Sequence, residues 1–208
     1  MKKLYLGTQS HSRQEILKDA GIPFELVQQD ANEHECDWGM PLQKLLESIA
    51  DHKMDHVVLP DGKEVSNICF VLTADTMGVD LEGNICGKPL DREEAKENLR
   101  KYRKGARTGT AVCLEKRTWT VDGWKCDERV TMYADAKYIF DVPESYLEKY
   151  LDDLPIYVGV ECTQVSGGVA IEGYGNRFLK SLDGSYTAVI GLPLYEVQLA
   201  LAKLGFFK

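Results

Sequence analysis

The stretch Ile68-Cys69-Phe70-Val71-Leu72-Thr73-Ala74-Asp75 settles the fold class. Its apolar run, Ile68 to Leu72, suits a strand buried on both faces, the kind found in sheets with helices packed over them. Asp75 follows, at the expected end of that strand. A carboxylate there faces the ligand crevice of an open sheet, or else it caps a turn.

Outward from this strand, helices and strands alternate. On the N-terminal side, Lys2 to Gly7 reads as a short strand, and Arg13 to Ala20 as a helix stopped by Gly21 and Pro23. Phe24 to Gln28 reads as a second strand. Pro41 to Val58 reads as a helix with Pro41 near its first turn. On the C-terminal side, Val79 to Cys86 reads as a hairpin turning at Glu82-Gly83-Asn84. Asp91 opens a helix, with Glu94 three residues on as a capping-box partner. Thr110 to Phe140 reads as β structure with Asp122-Gly123 as its turn. Val130, Met132, Ala134, Ala136, Tyr138 and Phe140 alternate there with mostly polar neighbours, as in a half-buried strand. Pro143 starts a helix through Leu151, a glycine-rich strand region follows, and Pro193 starts a final helix that ends at Gly205. The interleaving implies an α/β or α+β class with a mixed sheet.

Charge narrows the function. Lys and Arg number 25 and Asp and Glu 33, a net charge of −8 over 208 residues. That argues against a partner in duplex nucleic acid, whose phosphates attract a basic face. No apolar run approaches the ~20 residues of a membrane-spanning helix, and the apolar stretch after Lys2-Lys3 is too short for a signal peptide. These features predict a cytoplasmic chain without a membrane partner. Six cysteines (36, 69, 86, 113, 126, 162) are scattered without a Cys-x-x-Cys pair. They predict reduced, mostly buried thiols rather than a zinc site or a disulfide framework.

Several polar residues fall where apolar ones belong. At about 100° per residue, Leu42, Leu45, Leu46 and Ile49 form one stripe of the second helix, and Lys53 lies inside it. On the first helix Arg13 shares the side of Ile16, Leu17 and Ala20. An inward cation either snorkels past the core or meets an anion, and two on separate helices point toward a shared anionic ligand. Thr8-Gln9-Ser10 sits between a strand and a helix, where backbone N–H groups, hydroxyls and the helix dipole suit a phosphate. Simple capping by Ser10, or a Ser12–Glu15 capping box, is the alternative. The P-loop spacing is absent. Lys88 in Gly87-Lys88-Pro89 and Glu33 in Asp30-Ala31-Asn32-Glu33 read by themselves as loop charges. His11, His34, His52 and His56 do not make a metal set.

Taken in order, these segments resemble the Maf family of nucleoside triphosphate pyrophosphatases, from about Leu4 to about Gly205. The family's opening Ser-x-Ser-Pro-Arg-Arg is matched by Thr8-Gln9-Ser10-His11-Ser12-Arg13. Its acidic motif is matched by Asp30-Ala31-Asn32-Glu33, its helix lysine by Lys53, its Ala-Asp-Thr by Ala74-Asp75-Thr76 and its Gly-Lys-Pro by Gly87-Lys88-Pro89. The late glutamine is matched by Gln164, and the closing signature by Gly184 to Leu194. The chain departs from the pattern at Ser12, where the family has arginine, and at Tyr157, where it has lysine. The segment Gly105 to Thr110 lacks the usual Ser-Gly-Arg-x-His run.

The resemblance implies a single domain over residues 1–208 made of two lobes, in the Maf/Ham1-like (ITPase-like) α/β fold, with a mixed twisted sheet and a cleft between the lobes. It implies hydrolysis of a nucleoside triphosphate, ordinary or modified, to monophosphate and pyrophosphate by metal-assisted water attack at the α-phosphorus. Asp75 and Glu33 are then the catalytic and metal-binding carboxylates, with Mg²⁺ or Mn²⁺ as the cofactor. Ser10, Arg13, Lys53, Lys88 and Gln164 are then substrate- or phosphate-binding residues. A homodimer is implied as well. The changes at Ser12 and Tyr157 predict a base selectivity unlike that of the pyrimidine-selective branch. A second reading is a regulatory or interaction protein on the same fold, linked to cell division, with weak or lost catalysis. Two expectations attach to single residues. Asp75 has no sequence neighbour to pair with, so removing its charge is expected to leave stability unchanged or raised. Loss of the Lys53 ammonium is expected to weaken substrate binding while leaving the fold intact.

Overall fold

The first strand, β1 (Lys3–Leu6), is buried along most of its length and runs parallel to two others. One is the short β2 (Glu25–Leu26). The other is the long apolar strand of the sequence, β5 (Ile68–Asp80). In the computed structural model, which describes residues 2–62 and 67–207, β5 does not stop at Leu72. It continues through Thr73 and Asp75 because tertiary partners satisfy those polar groups. Thr73 Oγ1, for instance, donates to the Ala50 carbonyl at 2.7 Å.

Seven strands make one mixed sheet. Its order is β2-β1-β5, then β7 (Ala106–Thr120), β8 (Gly123–Phe140) and β9 (Leu179–Gly184), with β6 (Ile85–Cys86) antiparallel to β5. The predicted second strand is split. Its first half is β2 of the main sheet, and the pair β3 (Gln28–Gln29) and β4 (Val57–Val58) forms a separate antiparallel ribbon. The mixed α/β class is as the sequence implies.

The chain divides into two compact units. The first comprises residues 1–75, 110–134 and 191–208. It carries α1 (His11–Asp19), α2 (Leu42–Asp55) and, near the C-terminus, the last helix (Leu194–Lys203). Leu45, Leu46, Ile49 and Ala50 of α2 are fully buried, each large side chain contributing roughly 1.5–3 kcal/mol of burial. Phe206 meets Phe70 edge to face at 5.2 Å, which closes this core. Helix α2 ends at Asp55 rather than Val58, and Pro41 is its N-cap residue.

The second unit comprises residues 76–109 and 135–190. In it α3 (Arg92–Tyr102) starts as predicted, with the Asp91 carboxylate accepting from the Glu94 N–H at 2.9 Å. Helix α4 (Leu147–Tyr157) follows a 3₁₀ turn (Glu144–Tyr146) and runs past the expected end at Leu151, through Pro155. The glycine-rich region beyond it is a set of 3₁₀ turns (Cys162–Gln164, Ser166–Gly168, Gly173–Phe178) rather than a strand. The signature segment adds a short helix, α5 (Tyr186–Ile190), which makes the last helix α6. Tyr102, Tyr138, Phe140 and Tyr150 build this unit's aromatic core. No helix of the described residues is long and apolar enough to cross a membrane.

Candidate active site

Lys53 projects from the last turns of α2 and is only 7% exposed. It does not snorkel to solvent. Its Nζ donates to Asp75 Oδ1 at 2.6 Å and pairs with Glu33 Oε1 at 2.7 Å. The ammonium also lies near the C-terminal end of the helix, where the dipole favours a cation. Asp75 lies within β5 rather than at its end, and its side chain is 11% exposed. Glu33 starts a 3₁₀ turn (Glu33–Glu35) whose cap is Asn32, the Asn32 side-chain Oδ1 accepting from the His34 N–H. Its side chain is 42% exposed, so it is the accessible carboxylate of the two.

The pairing corrects one expectation. Asp75 is not a buried charge without a fixed partner, because Lys53, distant in sequence, neutralises it. Removing either charge therefore exposes the other to the cost of an incomplete buried pair.

Arg13, on the inner face of α1, is 8% exposed. Its Nε donates to the Gly191 carbonyl at 2.8 Å and its Nη1 to Thr8 Oγ1 at 3.1 Å. Gly191 holds a φ of 134°, a conformation that glycine adopts readily and other residues rarely do, and this supports the turn carrying that carbonyl. Burial lowers the Arg13 pKa, while Asp75 and Glu33 pull it back up. Arg13 thus sits in the field of the same two carboxylates that Lys53 binds.

Ser10 occupies the N-cap position of α1 but makes no side-chain capping bond. The helix begins at His11, so Ser12 lies inside its first turn and is not the cap. The Thr8 hydroxyl instead accepts from the Ser10 N–H at 3.2 Å as well as from Arg13. Residues Thr8, Arg13 and Gly191 therefore form one fixed corner at the N-terminus of α1. Sequence reading passed over the positioning role of Thr8 and Gly191, although both stand inside the quoted motifs.

Lys88 and Gln164 belong to the second unit. Lys88 is exposed and makes no ion pair among the described residues. Gln164 Oε1 accepts from the Glu161 N–H at 2.8 Å, closing a reciprocal capping box around its own 3₁₀ turn. Ser166, absent from the sequence reading, anchors the Lys88 loop. Its hydroxyl donates to the Cys86 carbonyl at 2.9 Å and accepts from the Gly78 N–H at 3.2 Å, while the Gly167 N–H reaches the Gly87 carbonyl at 2.7 Å. Tyr157 ends α4 with its ring stacked on Tyr174, centroids 5.0 Å apart and planes 12° apart.

The donor set of the first unit is two carboxylates, a lysine, an arginine and hydroxyls. Among the described residues no group of three or more His, Cys, Asp or Glu forms a metal cage. All six cysteines are free, and four of them are buried. Burial pushes the Cys69 thiol up to about 12.

The fold is mixed α/β, and its first unit holds a buried lysine paired with two carboxylates. The chain belongs to the Maf family: the model for Maf-like protein matches residues 3–204. It is 31% identical over 209 residues to the dTTP/UTP pyrophosphatase of Caldicellulosiruptor bescii, covering 99% of this chain and 96% of the relative. It is 30% identical to the dTTP/UTP pyrophosphatase of Fusobacterium nucleatum, over 98% and 96% of the two chains. Both relatives are nucleoside triphosphate pyrophosphohydrolases by name, which is the enzyme class expected from the sequence. Among solved structures, a HAM1 protein from Coxiella burnetii aligns with 68% of this chain and 74% of its own at 13% identity and a TM-score of 0.35, a likeness too weak to bear on function.

Proposed function

We propose that the chain is a nucleoside triphosphate pyrophosphatase. Water attacks the α-phosphorus, the bond from that phosphorus to the bridging oxygen breaks, and monophosphate and pyrophosphate leave. The single observation that carries this reading is the meeting of Glu33 and Asp75 on the Lys53 ammonium beside buried Arg13.

Each residue has a task in that reaction. A carboxylate, Asp75 or Glu33, takes the proton of the attacking water, which raises its nucleophilicity. Lys53 holds both carboxylates in place through its ion pairs. An ammonium has three N–H donors, and Asp75 and Glu33 account for two among the described residues, which leaves one to meet a phosphate oxygen. Arg13 supplies a fixed cation to the phosphates, and Ser10 a hydroxyl uncommitted to capping. For Lys88 and Gln164, a role toward phosphate or nucleotide rests on the family resemblance alone.

Two hard oxygen carboxylates without imidazole or thiolate fit Mg²⁺ or Mn²⁺, which take one or two carboxylates plus waters and substrate phosphates. Asp75 and Glu33 would hold that ion. When bound, it offsets the charge of the phosphates and of the leaving pyrophosphate.

The relatives' names point to dTTP and UTP for those enzymes. The half-buried Ser12 and the stacked Tyr157 stand where the family resemblance expects cations, so the base preference of this chain is proposed to differ. Family resemblance also supports a cytoplasmic homodimer, which gel filtration with light scattering tests.

The test is a pyrophosphate-release screen over ordinary and modified nucleoside triphosphates with Mg²⁺ or Mn²⁺. Turnover to monophosphate plus pyrophosphate, abolished by chelator, is expected. Release of orthophosphate, or no turnover at all, overturns the reading. A clear preference for dTTP and UTP over every other nucleotide overturns the selectivity proposal alone.

A further inference from the structure

Glu115, in β7, has a side chain of zero exposure, and two arginines bind its carboxylate. Arg117 Nε donates to Oε2, and Arg129 Nε donates to Oε1 at 2.5 Å. A carboxylate removed from water is costly even when paired, and a well-packed apolar residue at such a place is often as stable or more so. Core stability alone is therefore a poor account of this cluster.

Each arginine also reaches the end of α2. Arg117 Nη2 donates to the Met54 carbonyl at 3.1 Å, and Arg129 Nη2 pairs with the Asp55 carboxylate. Met54 carries one of the last carbonyls of the helix, which have no partner within it. Burial would lower the Arg129 pKa, but the bonds to Asp55 and Glu115 outweigh it and raise the value. One turn earlier, Thr73 holds the Ala50 carbonyl and Thr131 Oγ1 donates to Asp51 Oδ1 at 2.7 Å. Residues 50, 51, 54 and 55 of α2 are thus each fastened to β5, β7 or β8. Lys53 lies between these anchors, and its own side chain is turned toward Glu33 and Asp75.

We propose that Glu115, with Arg117 and Arg129, is a positioning group that fixes the end of α2 so that the Lys53 ammonium is held between Glu33 and Asp75. The inference rests on the pyrophosphatase reading of that site. Geometry makes the cost appreciable, because a misplacement of about 1 Å at a reacting centre is worth up to about 10²-fold in rate.

The test compares wild type with Glu115→Gln and Arg117→Lys. Glu115→Gln keeps the size of the side chain but removes the charge that gathers both arginines. Arg117→Lys keeps a cation beside Glu115 but gives up the fork that reaches Met54. Two readouts are taken well below the unfolding temperature. One is kcat/KM for the best nucleotide of the screen. The other is the rate at which an amine-acylating reagent labels Lys53, measured by mass spectrometry. Lys44, exposed on the same helix, is the reference for reagent reactivity, and Lys96, buried in the second unit, is the reference for global opening.

Both variants should lower kcat/KM by about tenfold or more. Both should raise Lys53 labelling several-fold relative to Lys44, with Lys96 unchanged. A fall in melting temperature with kcat/KM and Lys53 labelling both unaltered assigns the cluster to stability alone and overturns the proposal. If Glu115→Gln does not fold, Arg117→Lys decides. If wild type turns over no nucleotide, the pyrophosphatase reading fails, and labelling alone decides whether the cluster positions Lys53.

Discussion

Lys53 Nζ and Asp75 Oδ1 lie 2.6 Å apart, joining a helix and a strand whose residues are separated by 22 positions in sequence. Neither side chain is satisfied locally, and each accounts for the burial of the other. The pair turns an apparent defect in each element, a lysine in an apolar stripe and a carboxylate in an apolar strand, into one polar centre. Glu33 then adds a second, more exposed carboxylate to the same ammonium.

Asp75→Asn should lower kcat by roughly 10²-fold or more, the scale of a lost general base or strong electrostatic group. It should also lower stability, by about 1–3 kcal/mol, because the ion pair becomes a bond from the ammonium to a neutral amide and the buried charge loses part of its compensation. This reverses the expectation from sequence that stability would hold or rise. Kinetics and thermal unfolding on the same preparation check it. Unchanged melting with full activity would remove Asp75 from both roles.

Arg13→Lys keeps the charge but cannot reproduce a planar fork bonded at once to Gly191 and Thr8. The expected loss is about 10- to 100-fold in kcat/KM, the range for one or two charge-assisted bonds. Thr8→Val should act through the same corner with a smaller loss. Combined with Arg13→Lys, it should add little, since both changes break the same contact. Independent, multiplying losses would mean that Thr8 serves the substrate rather than Arg13.

The order of elements and the inward cations were legible in the sequence because periodicity and capping are local signals. The partners of those cations were not. The continuation of β5 past Leu72 depends on Ala50 accepting from Thr73 and on Lys53 pairing with Asp75, both contacts between distant segments. Glu115 was invisible for a related reason. In an alternating strand a glutamate reads as a solvent-facing residue, and only the convergence of Arg117 and Arg129 explains its burial. The glycine-rich region failed as a strand because Gly167, Gly168 and Gly173 hold positive φ, which breaks extended backbone into turns. Helix α4 runs past the expected end at Leu151 to Tyr157, with Pro155 inside it.

The second unit should weaken in acid. Hydrogen bonds from Arg100 and Arg103 lower the Glu144 pKa, and those from Lys96 and Arg92 lower the Glu148 pKa. A carboxylate depressed in the folded state adds stability that is fully present above its unfolded value, near 4.5, and is lost as pH falls through the folded value. Hydrogen exchange of α3 and α4 should therefore speed up between pH 6 and pH 3, beyond the intrinsic pH effect. Both side chains are largely exposed, so the change should be modest and should shrink in high salt. Glu144→Gln should flatten the profile, and an unaltered profile would show that these pairs contribute nothing measurable.

Glu33→Gln separates two roles that Asp75→Asn combines. Glu33 is 42% exposed on a surface turn, and in the variant Lys53 keeps its bond to Asp75. Solvent screens the lost pair, so its cost in stability should be under about 1 kcal/mol. Activity should still fall by about tenfold or more if the carboxylate serves the reaction. The metal dependence then distinguishes how. A glutamate that holds Mg²⁺ leaves a weaker site when neutralised, and raising the metal concentration should recover much of the rate. One that takes a proton from water leaves a deficit that no metal concentration repairs. Full activity at ordinary metal levels would reduce Glu33 to a surface partner of Lys53 and leave Asp75 as the one carboxylate of this site in the reaction.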